Sequence, residues 1–227
     1  MSKTLRNNSL SLVAGGLFLL SLVGQVVAGH AEYNDDQREH GQPQAGYVAY
    51  LRSPHFFEAT FENWESEFLQ MAVFIFLTAF LIQKGSAESR KPEEEKQRGE
   101  VEPVEEDPAK HRKDPDAPWP VRRGGWVAKL YASSLSLALF LLFLASFAAH
   151  VVSGARHYSQ EQLQHGGQAV GALEYLGTAR LWFESFQNWQ SEFLSVLAIV
   201  VLSIFLRQRG SPESKPVHVP HEQTGNG

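Results

Sequence analysis

A chain of 227 residues with a formal net charge of −5 and no cysteine carries no nucleic-acid footprint. It also excludes disulfide frameworks, thiolate catalysis and cysteine-ligated zinc or iron–sulfur sites. Mean hydropathy is slightly negative, yet the apolar residues are gathered into blocks between strongly charged stretches, the distribution of a membrane protein rather than of a soluble globule.

Lys3 and Arg6 precede the first apolar block, about 10–29, which holds no charged residue between Leu10 and Gly29. At 1.5 Å per residue this length crosses a hydrocarbon core of roughly 30 Å. The block also fits a signal peptide, with Val27-Ala28-Gly29-His30-Ala31 offering small residues for cleavage. The same pattern returns at Ser134-Leu135-Ser136-Leu137, deep inside the chain, so the first block reads as an uncleaved span.

Residues 30–63 read as an external loop and 64–83 as the second span. Its apolar run, Phe68 to Ile82, is short, on the order of 15 residues, and needs Trp64 as an interfacial anchor. Two starts are open for this helix. With Ser53 as N-cap and Pro54 in the first turn it runs from there through Ile82; with Asn63 as N-cap it begins ten residues later.

Residues 91–124, rich in glutamate, lysine and proline, read as a disordered cytoplasmic linker because they bury too little to offset chain entropy. A third span follows at about 130–152, an external loop at 153–188, and a fourth span at about 189–207 anchored by Trp189. Residues 216–227 form a cytoplasmic tail. Gly85 and Gly210, directly after cationic turns, fit helix C-caps.

A shift of 125 residues superimposes the halves without a gap. Ser9-Leu10-Ser11-Leu12 falls on Ser134-Leu135-Ser136-Leu137, His40-Gly41 on His165-Gly166, and Tyr50-Leu51 on Tyr175-Leu176. The longest match sets Phe61-Glu62-Asn63-Trp64-Glu65-Ser66-Glu67-Phe68-Leu69 against Phe186-Gln187-Asn188-Trp189-Gln190-Ser191-Glu192-Phe193-Leu194. Residues 1–90 and 125–215 are therefore expected to be two copies of one two-helix unit. The fold class is an all-α membrane protein of four transmembrane helices, two tandem repeats in the same orientation forming a pseudo-two-fold bundle.

Lysine and arginine flank the outer ends of the repeats: Lys3 and Arg6, Lys84, Arg90 and Lys91, Arg122, Arg123 and Lys129, then Arg207, Arg209 and Lys215. The two external loops hold only Arg38, Arg52, Arg156 and Arg180. The positive-inside rule places both termini and the linker in the cytoplasm.

The duplicated Asn-Trp-x-Ser-Glu-Phe-Leu block, with Arg207-Gln208-Arg209-Gly210-Ser211-Pro212-Glu213-Ser214-Lys215-Pro216 after the last span, resembles a family of bacterial integral membrane proteins known only as a domain of unknown function. The resemblance covers nearly all of the chain except the linker. It implies a four-span protein of the bacterial inner membrane and brings no activity, cofactor or catalytic residue.

On the longer helix, Thr60, Asn63, Glu67 and Gln70 share a face, as do Ser185, Asn188, Glu192 and Ser195 in the second copy. Glu67 and Glu192, with Asn63 and Asn188, then form a candidate proton or cation site in which neighbouring carboxylates share a charge. On the shorter helix the same residues are caps and first-turn carboxylates. His30, His40, His55, His157 and His165 lie in the loops without zinc spacing, so no metal site is assigned and His-Gly reads as a turn. His150 lies opposite Gln25, which suits a polar contact between spans rather than a haem pair.

No phosphate loop, nucleophile elbow or metal cluster is present in the sequence, so no cofactor and no catalytic residue is expected. The expected role is non-enzymatic, structural or partner-binding, in company with the lipid bilayer and with a second copy or another protein. A small proton or cation channel using the paired carboxylates is the alternative.

Overall fold

The computed structural model describes residues 3–96 and 106–225, and every regular element among them is helical. The elements are α1 Lys3–Asn7, α2 Ser9–Glu39, α3 Tyr47–Tyr50, α4 Pro54–Thr78, α5 Trp119–Arg123, α6 Gly125–Ala132, α7 Ser134–Gln164, α8 Ala172–Tyr175 and α9 Ala179–Phe205. A 3-10 turn, Pro108–His111, precedes α5. The linker expected at 91–124 lies partly outside the described residues, at 97–105.

Three helices are long and apolar enough to cross a membrane: α2, α7 and α9. None of the apolar window of α2 is buried within the chain, and only 17% and 6% of those of α7 and α9. Uncovered aliphatic and aromatic surface of this extent is stable against lipid and not against water.

The expectation of four apolar spans is corrected at α4, which is not apolar enough to cross against lipid. Its first half carries Glu58, Glu62, Glu65 and Glu67, and its apolar run after Gln70 is only Met71–Leu77 before the helix ends at Thr78. That run falls well short of the roughly 20 residues a spanning helix needs. Ala79 and Phe80 turn back on the carbonyls of Phe76 and Leu77, at 3.2 and 3.0 Å, and after one further bond from Leu81 to Leu77 at 2.7 Å the chain leaves the helix before Ile82. In α9 the positions 125 residues further on from Glu58, Glu62 and Glu65 are Phe183, Gln187 and Gln190. That exchange of charge for apolar or neutral side chains is what makes α9 long enough.

Both long helices run past the ends expected for them, α2 to Glu39 and α7 to Gln164. They stop at glycines in the left-handed region, Gly41 at φ 66° and Gly166 at φ 76°, in agreement with the turn read at His-Gly. α4 and α9 begin at caps from the preceding residue: Ser53 Oγ accepts from the Phe56 N–H at 3.2 Å, and Thr178 Oγ1 from the Leu181 N–H at 3.5 Å. Gly85 and Gly210, at φ 82° and 84°, are turn residues and not C-caps, because their helices end several residues earlier.

The chain divides into two compact units, Met1–Phe61 with Ala148–Leu181, and Glu62–Phe147 with Trp182–Gly227. In the first, each long helix is closed by its loop through one side chain. Asn34 accepts from the Ala45 N–H at 2.7 Å and donates to the Ala45 carbonyl at 3.0 Å. Ser159 accepts from the Val170 N–H at 2.9 Å and donates to its carbonyl at 3.1 Å.

In the second unit an aromatic ladder joins α7 to α9. Phe147 lies 6.3 Å from Trp182, Trp182 5.8 Å from Phe186, Phe186 5.4 Å from Trp189, and Trp189 6.2 Å from Phe143. The loop after α4 and the loop after α9 have the same local pattern. The Gln83 N–H donates to Ser89 Oγ and the Gln208 N–H to Ser214 Oγ, both at 2.9 Å. Lys215, 1% exposed, fastens the tail to the first of these loops by donating to the carbonyls of Gly85, Pro220, His221 and Gln223 at 2.6 to 3.3 Å.

Candidate functional site

Because α4 starts at Pro54 and α9 at Ala179, Asn63 and Asn188 lie well inside helices and neither is an N-cap. The capping alternative is thereby removed. What takes its place is a polar seam between α4 and α9 in the second unit. Asn188 Nδ2 donates to Glu62 Oε1 at 2.5 Å, Ser185 Oγ to Glu65 Oε1 at 2.9 Å, and Gln70 Nε2 to Ser195 Oγ at 3.0 Å and to the Glu192 carbonyl at 3.3 Å.

Of the expected face, Ser185, Asn188 and Ser195 on α9 meet α4, where their partners are Glu65, Glu62 and Gln70. Glu67 and Asn63 are exposed. No hydrogen bond joins Glu67 to Glu192 among the described residues. The buried carboxylate of the seam is Glu65, 0% exposed. Trp189 stands in the aromatic ladder between helices, and Trp64 is half-buried.

Sequence reasoning missed the denser cluster, which lies in the first unit. Glu58, buried on α4, pairs with Nδ1 of His157 on α7 and accepts from the Tyr175 hydroxyl at 3.5 Å. The approach is close because α7 has glycine there: a Cβ on Gly154 would stand 2.7 Å from Tyr175 Cε1 and 3.0 Å from Glu58 Oε1. On the far side of His157, Nε2 lies 3.6 Å from Glu161, which Arg180 of α9 grips at 2.5 and 3.4 Å.

His55 completes the group, edge-on to His157 with ring centroids 5.1 Å apart and Nε2 3.2 Å from Glu32 on α2. Burial, then the charge of His157, holds His55 below the usual imidazole range against the pull of Glu32, Glu58 and Asp36. Tyr50 occupies, against Gly29, the position that Tyr175 occupies against Gly154. Burial and then Glu32 push its phenol up. Gln25 donates to Thr60 at 3.1 Å, and His150 is fully buried.

A signal for this cluster was present: Gly29 and Tyr50 recur as Gly154 and Tyr175 at the repeat offset. The network occupies corresponding positions with exchanged chemistry: Glu32 and His55 correspond to His157 and Arg180, Asp36 to Glu161, and Glu58 to Phe183, so a search for identical residues passes over it. Each carboxylate in it faces an imidazole or guanidinium. Such an arrangement ties α2, α4, α7 and α9 together at one end without leaving an isolated buried charge.

Compared with known proteins, residues 1–226 match the family model described as a domain of unknown function, DUF6766. No curated protein and no solved structure matches the chain.

Proposed function

The chain belongs to the DUF6766 family, and from that premise we propose that it is a non-enzymatic integral membrane protein with a structural or partner-binding role, set in the bacterial inner membrane with both termini cytoplasmic. The observation that carries this reading is the uncovered apolar surface of α2, α7 and α9, which lipid solvates. The distribution of lysine and arginine supports the orientation.

Duplication of a two-helix unit is supported by element bounds and bonds alike. α2 and α7 each have 31 residues, starting at Ser9 and Ser134. α3 and α8, the caps Ser53 and Thr178, the loop clasps of Asn34 and Ser159, and the Ser89 and Ser214 turns all recur at the same offset. That orientation needs α4 to return the chain to the cytoplasmic face: its 25 residues are long enough at about 1.5 Å each, but its polar side chains are not stable against lipid and have to be met by protein. The seam meets it through Asn188, Ser185 and Ser195. Exposed Glu67 leaves the paired-carboxylate channel without support. Besides lipid, a second copy or another protein is the proposed company, and nucleic acid is not.

Membrane fractionation with alkaline carbonate and with detergent tests the assignment: the protein stays with the membrane in carbonate and leaves in detergent. Because the chain has no cysteine, single substitutions map topology cleanly. Gln42→Cys and His165→Cys are expected to react with an impermeant maleimide in intact cells, and Lys113→Cys and Glu222→Cys only after permeabilisation. Carbonate extraction overturns the membrane reading, and reversed labelling overturns the orientation.

A further inference from the structure

In the first unit, α4 and the outer end of α7 enclose a groove of about 260 Å³. Its floor and walls are apolar: Phe57 and Phe61, one helical turn apart with rings stacked at 6.1 Å, face Ala149 and Val152. At its edge stand two arginines, Arg52 just before α4 and Arg156 on α7. Both are exposed, and neither side chain has a hydrogen-bonded or ionic partner among the described residues.

That freedom is selective. The two other arginines in the segments read as external are engaged, Arg38 with Asp35 at 2.9 Å and Arg180 with Glu161 at 2.5 Å. Nor do the unpaired pair arise from duplication, since the positions equivalent to Arg52 and Arg156 are Gly177 and Ala31. The fold brings two unrelated arginines to one apolar groove. Arg156 lies one turn beyond Val152, where the third apolar block ends, which is the depth of headgroups in a bilayer. Guanidinium forks match phosphate oxygens bidentately, and the aromatic walls suit glycerol and the first methylenes of an acyl chain.

We propose that this groove binds an anionic phospholipid, its phosphate held between Arg52 and Arg156 and its chains leaving along Phe57, Phe61 and Val152. The site rests on the membrane reading above. An anion without a tail would leave the apolar walls unmatched, and a zwitterionic lipid would bring its own cation beside the two arginines together with its phosphate.

The test uses the full chain purified in neutral detergent and equilibrated with equimolar phosphatidylglycerol and phosphatidylcholine, with bound lipid read by native mass spectrometry. The native chain is expected to retain one phosphatidylglycerol in preference to phosphatidylcholine by about tenfold, as two charge-assisted contacts allow. The Arg52→Gln, Arg156→Gln double variant is expected to lose that preference while still carrying phosphatidylcholine and melting at the native temperature, because both side chains are exposed. Equal retention of the two lipids by the native chain overturns the site and leaves the membrane reading standing, as does a preference that survives in the double variant. A preference abolished by inorganic phosphate assigns the arginines to a free anion and also overturns it. Retention of neither lipid overturns the site, and the carbonate extraction above decides the membrane reading separately.

Discussion

The ring of Tyr175 rests against the backbone of Gly154 so closely that no side chain fits between them, and Tyr50 rests in the same way against Gly29. These two contacts fix the short α3 and α8 elements onto the long helices, and both tyrosines are buried, at 1% and 0% exposure. The glycines are conformationally ordinary. Their requirement is one of space.

Gly154→Ala and Gly29→Ala are expected to lower stability, each by about 1–2 kcal/mol: overpacking costs about 1–3 kcal/mol, and the better helix propensity of alanine returns up to about 1. The rescue differs between them. At Gly29 the overlap is with the Tyr50 hydroxyl, the next atom Cζ being at 3.1 Å, so Tyr50→Phe relieves it. At Gly154 the ring carbon Cε1 itself stands at 2.7 Å, and Tyr175→Phe relieves little. Thermal melting of the two double variants in detergent decides this, and equal rescue in both contradicts the geometry.

Glu65 is fully buried and accepts from Ser185. Ser185→Ala removes one donor from a carboxylate that cannot reach water, with an expected cost of about 1–2 kcal/mol. Glu67→Gln, at an exposed position two residues further on, is expected to change stability by less than about 0.5 kcal/mol. Denaturant melts of both variants compare them directly. A larger effect at position 67 contradicts the assignment of Glu65 as the seam carboxylate.

Burial, and after it the charge of Glu213, holds the Glu88 carboxyl above the usual carboxylate range. One of its oxygens is buried without a hydrogen-bond partner among the described residues. A folded-state pKa raised above the unfolded value means that folding favours the protonated form. The stabilisation is complete below 4.5, the ordinary value, and is lost as pH rises through the folded pKa. Glu88→Gln is therefore expected to melt higher than the native chain at neutral pH, and the two curves to converge in acid. A variant that melts lower at neutral pH contradicts the sign.

Helix placement was legible because it rests on local chemistry: Ser53 before Pro54, glycine after His40 and His165, and apolar runs at Leu10 and Leu130. The fourth span was misread because Phe80-Leu81-Ile82 was counted as helix, although the chain turns after Thr78. On α4 both Glu65 and Glu67 precede the apolar run, and only packing against Ser185 decides which is buried. The His55–His157–Glu58 group was out of reach for a different reason. Its members come from both halves with the chemistry exchanged between corresponding positions, and only the fold brings them together.

Lys215 gathers four carbonyls, and one of them, that of Gly85, belongs to the loop after α4. The same loop is bound from the other direction: the Gly85 N–H donates to Thr224 Oγ1 at 2.9 Å, and the Gly225 N–H donates to the Ser86 carbonyl at 2.9 Å. An ammonium suits converging carbonyls because its three N–H donors point to three corners of a tetrahedron, one of them shared between two of the four carbonyls. A planar guanidinium does not reproduce that set. Lys215→Met is thus expected to leave α9 intact and free residues 216–225, seen as faster amide exchange at Thr224 and Gly225. Lys215→Arg is expected to fail to restore protection, and native-like exchange in either variant shows that the clasp does not hold the tail.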